Sequence, residues 1–361
     1  MKTLLLASDS FKGTLSSLEI ASIAKEIIEN DFRDDWSLDY QLIADGGEGT
    51  LDAFEPFWGG KRFEEEAFDA ERKPNKCPFL LNERGDALIE VASIIGLPLI
   101  KGAIPPLERT TKGLGVLIKK AIALGARKIY VGLGGSSTND MGIGMLRELG
   151  VRFRGVNEPT MANASQIVSL DASGFFLKSK SIEFICLCDV SNPLLGKEGA
   201  TYAFGRQKGY GDCLSFLESG MSHLCSLYEQ ASSKTLRGLP SLGAAGGLAA
   251  ALYSFMDAKI ESGIAALLSL SHFEERAEKA DLIITGEGCF DGQSLNGKAF
   301  SGISSLSPQG KLIVLCGQSK VKIPGLPCYE ISEKGQPVSY LKERAKEDYA
   351  RALRRVLLEH R

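Results

Sequence analysis

Residues 61–92 read KRFEEEAFDAERKPNKCPFLLNERGDALIEVA, and this stretch decides the fold. Three strand-like runs, 61–70, 77–81 and 87–92, follow one another with short turns and no helical spacing between them. Such a meander does not belong in a doubly wound parallel sheet. The flanking sequence reads differently. Thr3–Ala7 is a short continuous apolar run, the mark of a parallel strand covered on both faces. Ser16-Ser17-Leu18-Glu19 forms a capping box, and Ile20, Ile23, Ala24, Ile27 and Ile28 follow at helical spacing. Tyr40–Ala44 predicts a second strand, so the opening is a β-α-β unit. Near the other end, Asp281–Thr285, Leu312–Leu315 and Cys328–Ile331 predict strands, and Pro337–Leu358 a terminal helix. Two early strands and three late ones make a five-stranded parallel sheet. The chain therefore reads as one α/β domain made of residues 1–60 and 280–361. A second α/β domain of mixed sheet, 61–279, is inserted in it. That insert carries a helix over Thr111–Leu124, strands over Lys128–Leu133 and Ile182–Leu187, and a small-residue helix over Gly243–Met256.

Bulk properties narrow the function. The 361 residues exceed what one core usually holds, and 44% are hydrophobic. A net charge of −3 gives no support to nucleic-acid or acidic-membrane binding. An anionic substrate must then be held by a few local cations and backbone N–H groups. The eight Cys include no Cys-x-x-Cys pair, and none of the three His stands near a Cys at metal-ligand spacing, which argues against zinc. Reduced thiols in a cytoplasmic protein are expected. The N-terminal apolar run is too short for a signal peptide, and Gly243–Met256 is too short to span a bilayer.

Five loops combine Gly with polar residues, most of them where a strand has just ended, which is where open α/β sheets bind ligands. The first is Asp9-Ser10-Phe11-Lys12-Gly13-Thr14. It precedes a capped helix, and Lys12 suits a phosphate or carboxylate. A plain turn explains it equally well. In Asp45-Gly46-Gly47-Glu48-Gly49-Thr50 two carboxylates flank a glycine-rich turn, and Asp45 and Glu48 are candidate Mg²⁺ ligands. The third, Gly132-Leu133-Gly134-Gly135-Ser136-Ser137-Thr138-Asn139-Asp140, is rich in donors. We expect Gly134, Gly135, Ser136, Ser137, Thr138 and Asn139 to cradle the phosphates of ATP. It also looks like a dinucleotide fingerprint lacking its third Gly, which opens an alternative reading as an NAD(P)-dependent oxidoreductase of a small hydroxy acid. The fourth, Asp189-Val190-Ser191-Asn192, leads on to Arg206-Gln207-Lys208-Gly209 and offers a carboxylate, an amide and two cations for a hydroxy acid. The fifth runs from Gly286 to Ala299. It contains Asp291 and the P-loop-like run Gly292 to Lys298, but Ala299 stands where a P-loop needs Ser or Thr, so Lys298 is kept only as a phosphate candidate.

No His lies in any of these loops, which argues against a Ser-His-Asp hydrolase. Phosphoryl transfer needs positioned cations, donors, Mg²⁺ and a carboxylate near the accepting hydroxyl, and the loops supply that set. In this reading Asp189 takes the hydroxyl proton, with Asp9 and Asp291 as rivals. Lys12 stabilises charge, and Ser10, Asn192, Arg206, Lys208 and Asp291 hold the substrate. A non-catalytic ligand-binding regulator is a third reading, against which the density of carboxylates beside Gly loops speaks.

The motifs resemble a known family. Asp9 to Ser16, Ala44 to Thr50, Gly134 to Asp140, Cys188 to Leu194, Phe204 to Gly209, Gly243 to Gly247 and Ile284 to Gly288 stand in the order found in bacterial glycerate kinases of the first type. The resemblance implies an ATP- and Mg²⁺-dependent kinase acting on D-glycerate, usually yielding 2-phosphoglycerate. It also implies that the domain made from the two ends is flavodoxin-like. Three positions depart from the pattern: Arg206 and Phe300 each replace a Pro, and Met141 replaces a Gly.

Overall fold

The computed structural model describes residues 1–361 except 12–13, 178–180, 293, 295–297 and 333–337, and omits the side chains of Lys298, Val338 and Ser339. The chain forms two compact units. One comprises Met1–Ala44, Asp52–Phe57 and Ile264–Arg361, and the other comprises Asp45–Leu51 and Trp58–Gly263. In chain order the first unit opens with β1 (Lys2–Ser8) and β2 (Trp36–Tyr40). The second unit follows with β3 (Gly60–Phe68), β4 (Pro74–Asn82), β5 (Asp86–Glu90), β6 (Lys128–Gly132), β7 (Arg152–Arg154), β8 (Ser169–Asp171), β9 (Glu183–Leu187) and β10 (Lys259–Glu261). The first unit then resumes with β11 (Leu282–Gly286), β12 (Cys289–Phe290), β13 (Leu312–Cys316), β14 (Gln318–Ser319) and β15 (Cys328–Glu330).

The sheet of the first unit runs β15-β13-β11-β1-β2, every pair parallel. Its central strands are continuous apolar runs because both faces are covered. From β1 the chain moves outward to β2, and from β11 it moves outward the other way to β13, so the order reverses between β1 and β11. This is the flavodoxin-like arrangement, and its ligand crevice lies at the carboxyl ends of those two strands. The capping box opens the helix Ser17–Asp31 as expected. The loop after β1 is pinned by Phe11, whose buried ring meets that of Tyr349 edge-on at 5.7 Å. Burying such a ring contributes about 1.5–3 kcal/mol, enough to hold Asp9 and Ser10 in place.

The sheet of the second unit runs β10-β9-β6-β5-β4-β3. The meander β3-β4-β5 is antiparallel, and β5, β6, β9 and β10 are parallel, which gives the expected mixed sheet. Its core gathers apolar side chains from the strands and from the helices Lys112–Ala123, Leu214–Ser232 and Ala244–Met256.

Several boundaries differ from expectation, and Asp45–Leu51, expected in the first unit, belongs to the second. The second strand is Trp36–Tyr40 and not Tyr40–Ala44. Trp36 is buried and pairs with Lys2, whereas Ile43 and Ala44 owe their burial to a connection that has left the ladder. The third run of the meander ends at Glu90, and Val91–Ile95 is helical, because a short, mostly apolar stretch carries too little period to separate strand from helix. The return to the first unit comes at Ile264 and not at 280. The reason is the helix Phe273–Lys279, whose Arg276 donates to both carboxylate oxygens of Asp39 at 2.9 and 2.6 Å and to Gln41 at 2.8 Å. No helix among the described residues is long and apolar enough to cross a membrane.

Candidate active site

The second unit holds a cavity of about 170 Å³ at the carboxyl ends of β6 and β9. The loop Asp45–Thr50 is lodged against those strand ends. Gly46 takes φ +92°, and a Cβ on it would meet the Leu187 carbonyl oxygen at 2.5 Å. The Gly46 carbonyl accepts from Gly134 N–H at 2.9 Å, and a Cβ on Gly134 would stand 2.4 Å from the Gly47 Cα. Glycine is therefore required in both loops because their backbones touch. This contact brings Asp45 to the same cavity as Gly134, Gly135 and Ser136.

Asp189 follows β9 and also lines the cavity. Its carboxylate accepts a 2.7 Å hydrogen bond from Ser262 Oγ. The neighbouring Gly263 abuts the Asp45 backbone, where a Cβ would come within 2.8 Å. The segment after β10 thus holds both carboxylates in position. Among the described residues no group of three or more His, Cys, Asp or Glu side chains is placed to hold a metal. Mg²⁺ usually keeps several waters and needs only one or two carboxylates beside substrate phosphates, so a cavity lined by Asp45 and Asp189 fits it. Glu48 is exposed and is not part of the lining.

Beneath the cavity lies a polar network. Lys208 is buried, and its Nζ stands 2.9 Å from Ser136 Oγ, 2.9 Å from the Thr138 carbonyl oxygen and 3.2 Å from Asn139 Oδ1. Burial pulls its ammonium down to about 7, against the opposing pull of Asp140. Asp140 is fully buried and accepts from Thr111 N–H and Oγ1, both at 2.9 Å, from Gly142 N–H at 3.1 Å and from Gly144 N–H at 3.2 Å. Burial raises its carboxyl above the usual range. Arg109, also buried, donates to the Lys208 carbonyl at 2.7 Å and to the Ser137 carbonyl at 3.4 Å. Arg109 Nε, Thr138 Oγ1 and Asn139 Nδ2 are buried with no partner. Each such atom costs about 1–3 kcal/mol if it is left without a partner, so this network is a candidate for contact with a ligand or water.

A second cavity, of about 370 Å³, lies in the first unit at the carboxyl ends of β1 and β11 and is lined by Asp9, Ser10, Glu287 and Gln318. Asp9 N–H donates to the Gly286 carbonyl at 2.9 Å, and Ser10 N–H to Asp9 Oδ1 at 2.6 Å.

The model of the glycerate kinase family matches residues 4–358. The chain belongs to that family. It is 37% identical over 311 residues to a glycerate kinase of Bacillus subtilis (strain 168), covering 83% of this chain and 80% of the relative. It is 34% identical over 315 residues to a glycerate 2-kinase of Escherichia coli (strain K12), covering 84% and 81%. The crystal structure of a candidate glycerate kinase 2 from Salmonella typhimurium LT2 superposes with a TM-score of 0.80 at 30% identity, covering 99% of this chain and 98% of that one.

The oxidoreductase alternative has no support. β6 is followed by ten residues of loop before the helix Ile143–Glu148, whereas a dinucleotide fingerprint runs from strand into helix, and the glycines serve the contact between loops. Of the residues expected in the phosphate cradle, only Gly134, Gly135 and Ser136 reach the cavity. Ser137 N–H and Oγ both bond the Ile95 carbonyl, and Asn139 N–H bonds Tyr210 Oη. Thr138 is wholly buried. Asn192 Nδ2 holds the Glu198 carbonyl at 2.8 Å, and Arg206 is exposed; neither lines the cavity. Asp291 sits in a local turn whose N–H donates to Ser294 Oγ. Lys12 and the Lys298 side chain fall outside the described residues. Gln207, Ala244, Ala245, Ser262 and Arg109 were missed by sequence reasoning; of these, only Gln207, Ala244 and Ala245 lie in stretches that carry the resemblance. Met141 takes φ +48°, the left-handed region, which is a physical reason for the family's glycine there.

Proposed function

We propose that the chain transfers the γ-phosphoryl group of ATP to D-glycerate, giving 2-phosphoglycerate. The observation that carries this reading is convergence: Asp45, Gly134 to Ser136, Asp189 and Lys208 come from four distant segments and line one cavity. Its volume is below the roughly 300–1,000 Å³ of sites for larger ligands, which suits a three-carbon acid. In this reading Asp189 accepts the hydroxyl proton, held in place by Ser262. Asp45 would hold Mg²⁺, which when bound would offset the charge of the phosphates. Gly134, Gly135 and Ser136 face the transferring phosphate, and Lys208 supports that wall from behind. Glu48, which does not line the cavity, is the weaker metal candidate, and Asp9, in the other unit, is the rival proton acceptor. All eight cysteines are free thiols, in keeping with a cytoplasmic setting.

Asp189→Asn tests the assignment, because the amide keeps the shape and the Ser262 contact while removing the charge. Turnover should fall by ~10²–10⁴ with thermal stability and the KM for ATP near wild type. Near-normal turnover, beside a dead Asp9→Asn enzyme, would move the role to Asp9.

A further inference from the structure

The three neighbours of Lys208 Nζ are not equivalent. The Thr138 carbonyl and the Asn139 amide oxygen can only accept, whereas Ser136 carries a hydroxyl that can also donate. An ammonium would donate to all three. A neutral amine has two N–H bonds, which the two obligate acceptors take, and its lone pair then faces the Ser136 hydroxyl at 2.9 Å. The surroundings favour that neutral form. Among the described residues no carboxylate lies within 4.0 Å of Nζ, and burial brings the ammonium to about 7. The charged and titratable groups around it are Asp140 and Tyr210 beneath, Arg109 on its carbonyl, and Asp45 and Asp189 across the cavity. A hydroxyl hydrogen-bonded to a neutral lysine at a cavity wall is the arrangement of a Ser–Lys nucleophile.

We propose that Ser136 and Lys208 form such a pair and that, without glycerate, Ser136 Oγ takes the γ-phosphoryl group of ATP. This rests on the reading above, in which the transferring phosphate enters this cavity. Ser136 Oγ forms a bond to the γ-phosphorus as the bond from that phosphorus to the β,γ-bridging oxygen breaks. The bridging electrons leave with ADP, and the hydroxyl proton passes to Lys208 Nζ. The resulting ammonium faces the new phosphoserine and stabilises it. A phosphoserine there fills the cavity wall that the acid would otherwise occupy, so the reaction silences the kinase when its acceptor is absent, and bound D-glycerate protects against it.

The test incubates the full chain with Mg²⁺ and γ-labelled ATP without glycerate, then maps the label by peptide mass spectrometry. The expected result is a single label on Ser136 that is stable to hydroxylamine and suppressed by D-glycerate. It should be absent in Ser136→Ala, and its formation should be slowed ~10²–10⁴-fold in Lys208→Met. Mapping the wild-type chain needs no variant, so a misfolded mutant cannot obscure the answer. No label on Ser136 in a preparation that phosphorylates D-glycerate at full rate overturns the proposal and leaves the kinase reading standing. Label that hydroxylamine removes, as from an acyl phosphate on Asp45 or Asp189, overturns it as well. A preparation that does neither reaction sinks both readings.

Discussion

Replacing Gly134 with Ala asks whether the glycines of this site serve the contact between loops. The new Cβ would lie 2.4 Å from the Gly47 Cα and 2.8 Å from the Gly47 nitrogen, about 1 Å short of the 3.4 Å at which ordinary contact begins. Both atoms are backbone, so no flexible side chain can swing aside, and the two loops must part by roughly 1 Å. Overpacking of this kind typically costs ~1–3 kcal/mol. For a unit of this size each kcal/mol lowers Tm by about 2–4 °C. The loops that separate carry Asp45 on one side and Gly135 and Ser136 on the other, so the cavity wall moves with them. A displacement of ~1 Å at a reacting centre can cost ~10²-fold in rate. Differential scanning fluorimetry and a coupled ADP assay on Gly134→Ala should therefore show both losses. Gly59→Ala is the control: its φ of +67° carries the strain of a left-handed residue, yet a Cβ there meets nothing within 4 Å. It should lose some stability and no turnover. Wild-type Tm and kinetics in Gly134→Ala would refute the close-approach argument.

Asp45→Asn should raise the Mg²⁺ concentration needed for half-maximal turnover by about tenfold or more, with Glu48→Gln milder because Glu48 is off the cavity; titrating Mg²⁺ checks this, and a reversed order would move the metal to Glu48. Lys208 has a pH signature whose sign is fixed. Its pKa is lowered from 10.5 to about 7 in the folded chain, so the unfolded chain binds more protons between those values. Its contribution to stability is most unfavourable below pH about 7 and improves as pH rises toward 10.5. The Tm of the wild type should therefore gain on that of Lys208→Met as pH rises through this window. A difference independent of pH would mean that Lys208 titrates at its ordinary value.

Much of the fold was legible in the sequence. The parallel strands are covered on both faces, so β1, β11 and β13 appear as unbroken apolar runs. The meander announced itself by its missing helices. β2 was misplaced because Leu42, Ile43 and Ala44 look like a strand, and only long-range pairing shows that Trp36 begins it. The site was legible as a set of glycine-rich loops at strand ends, but the reason for the glycines was not. Gly46 meets Gly134 and Leu187 across distances in sequence that no local pattern encodes. Asn192 and Arg206 stand close to Asp189 and Lys208 along the chain, yet neither lines the cavity, because nearness in sequence is not nearness in space. Arg109 lies in no glycine loop, and only its burial against Lys208 and Ser137 reveals it.

The central claim is that this chain phosphorylates D-glycerate at the expense of ATP. The most direct measurement follows ADP release with D-glycerate, L-glycerate or no acceptor, in the presence of Mg²⁺, and identifies the product by phosphorus NMR. We expect ADP formation that requires D-glycerate and a product carrying phosphate on the 2-hydroxyl. ADP release no faster with D-glycerate than without acceptor would contradict the claim, and phosphate on the 3-hydroxyl would contradict the assigned position.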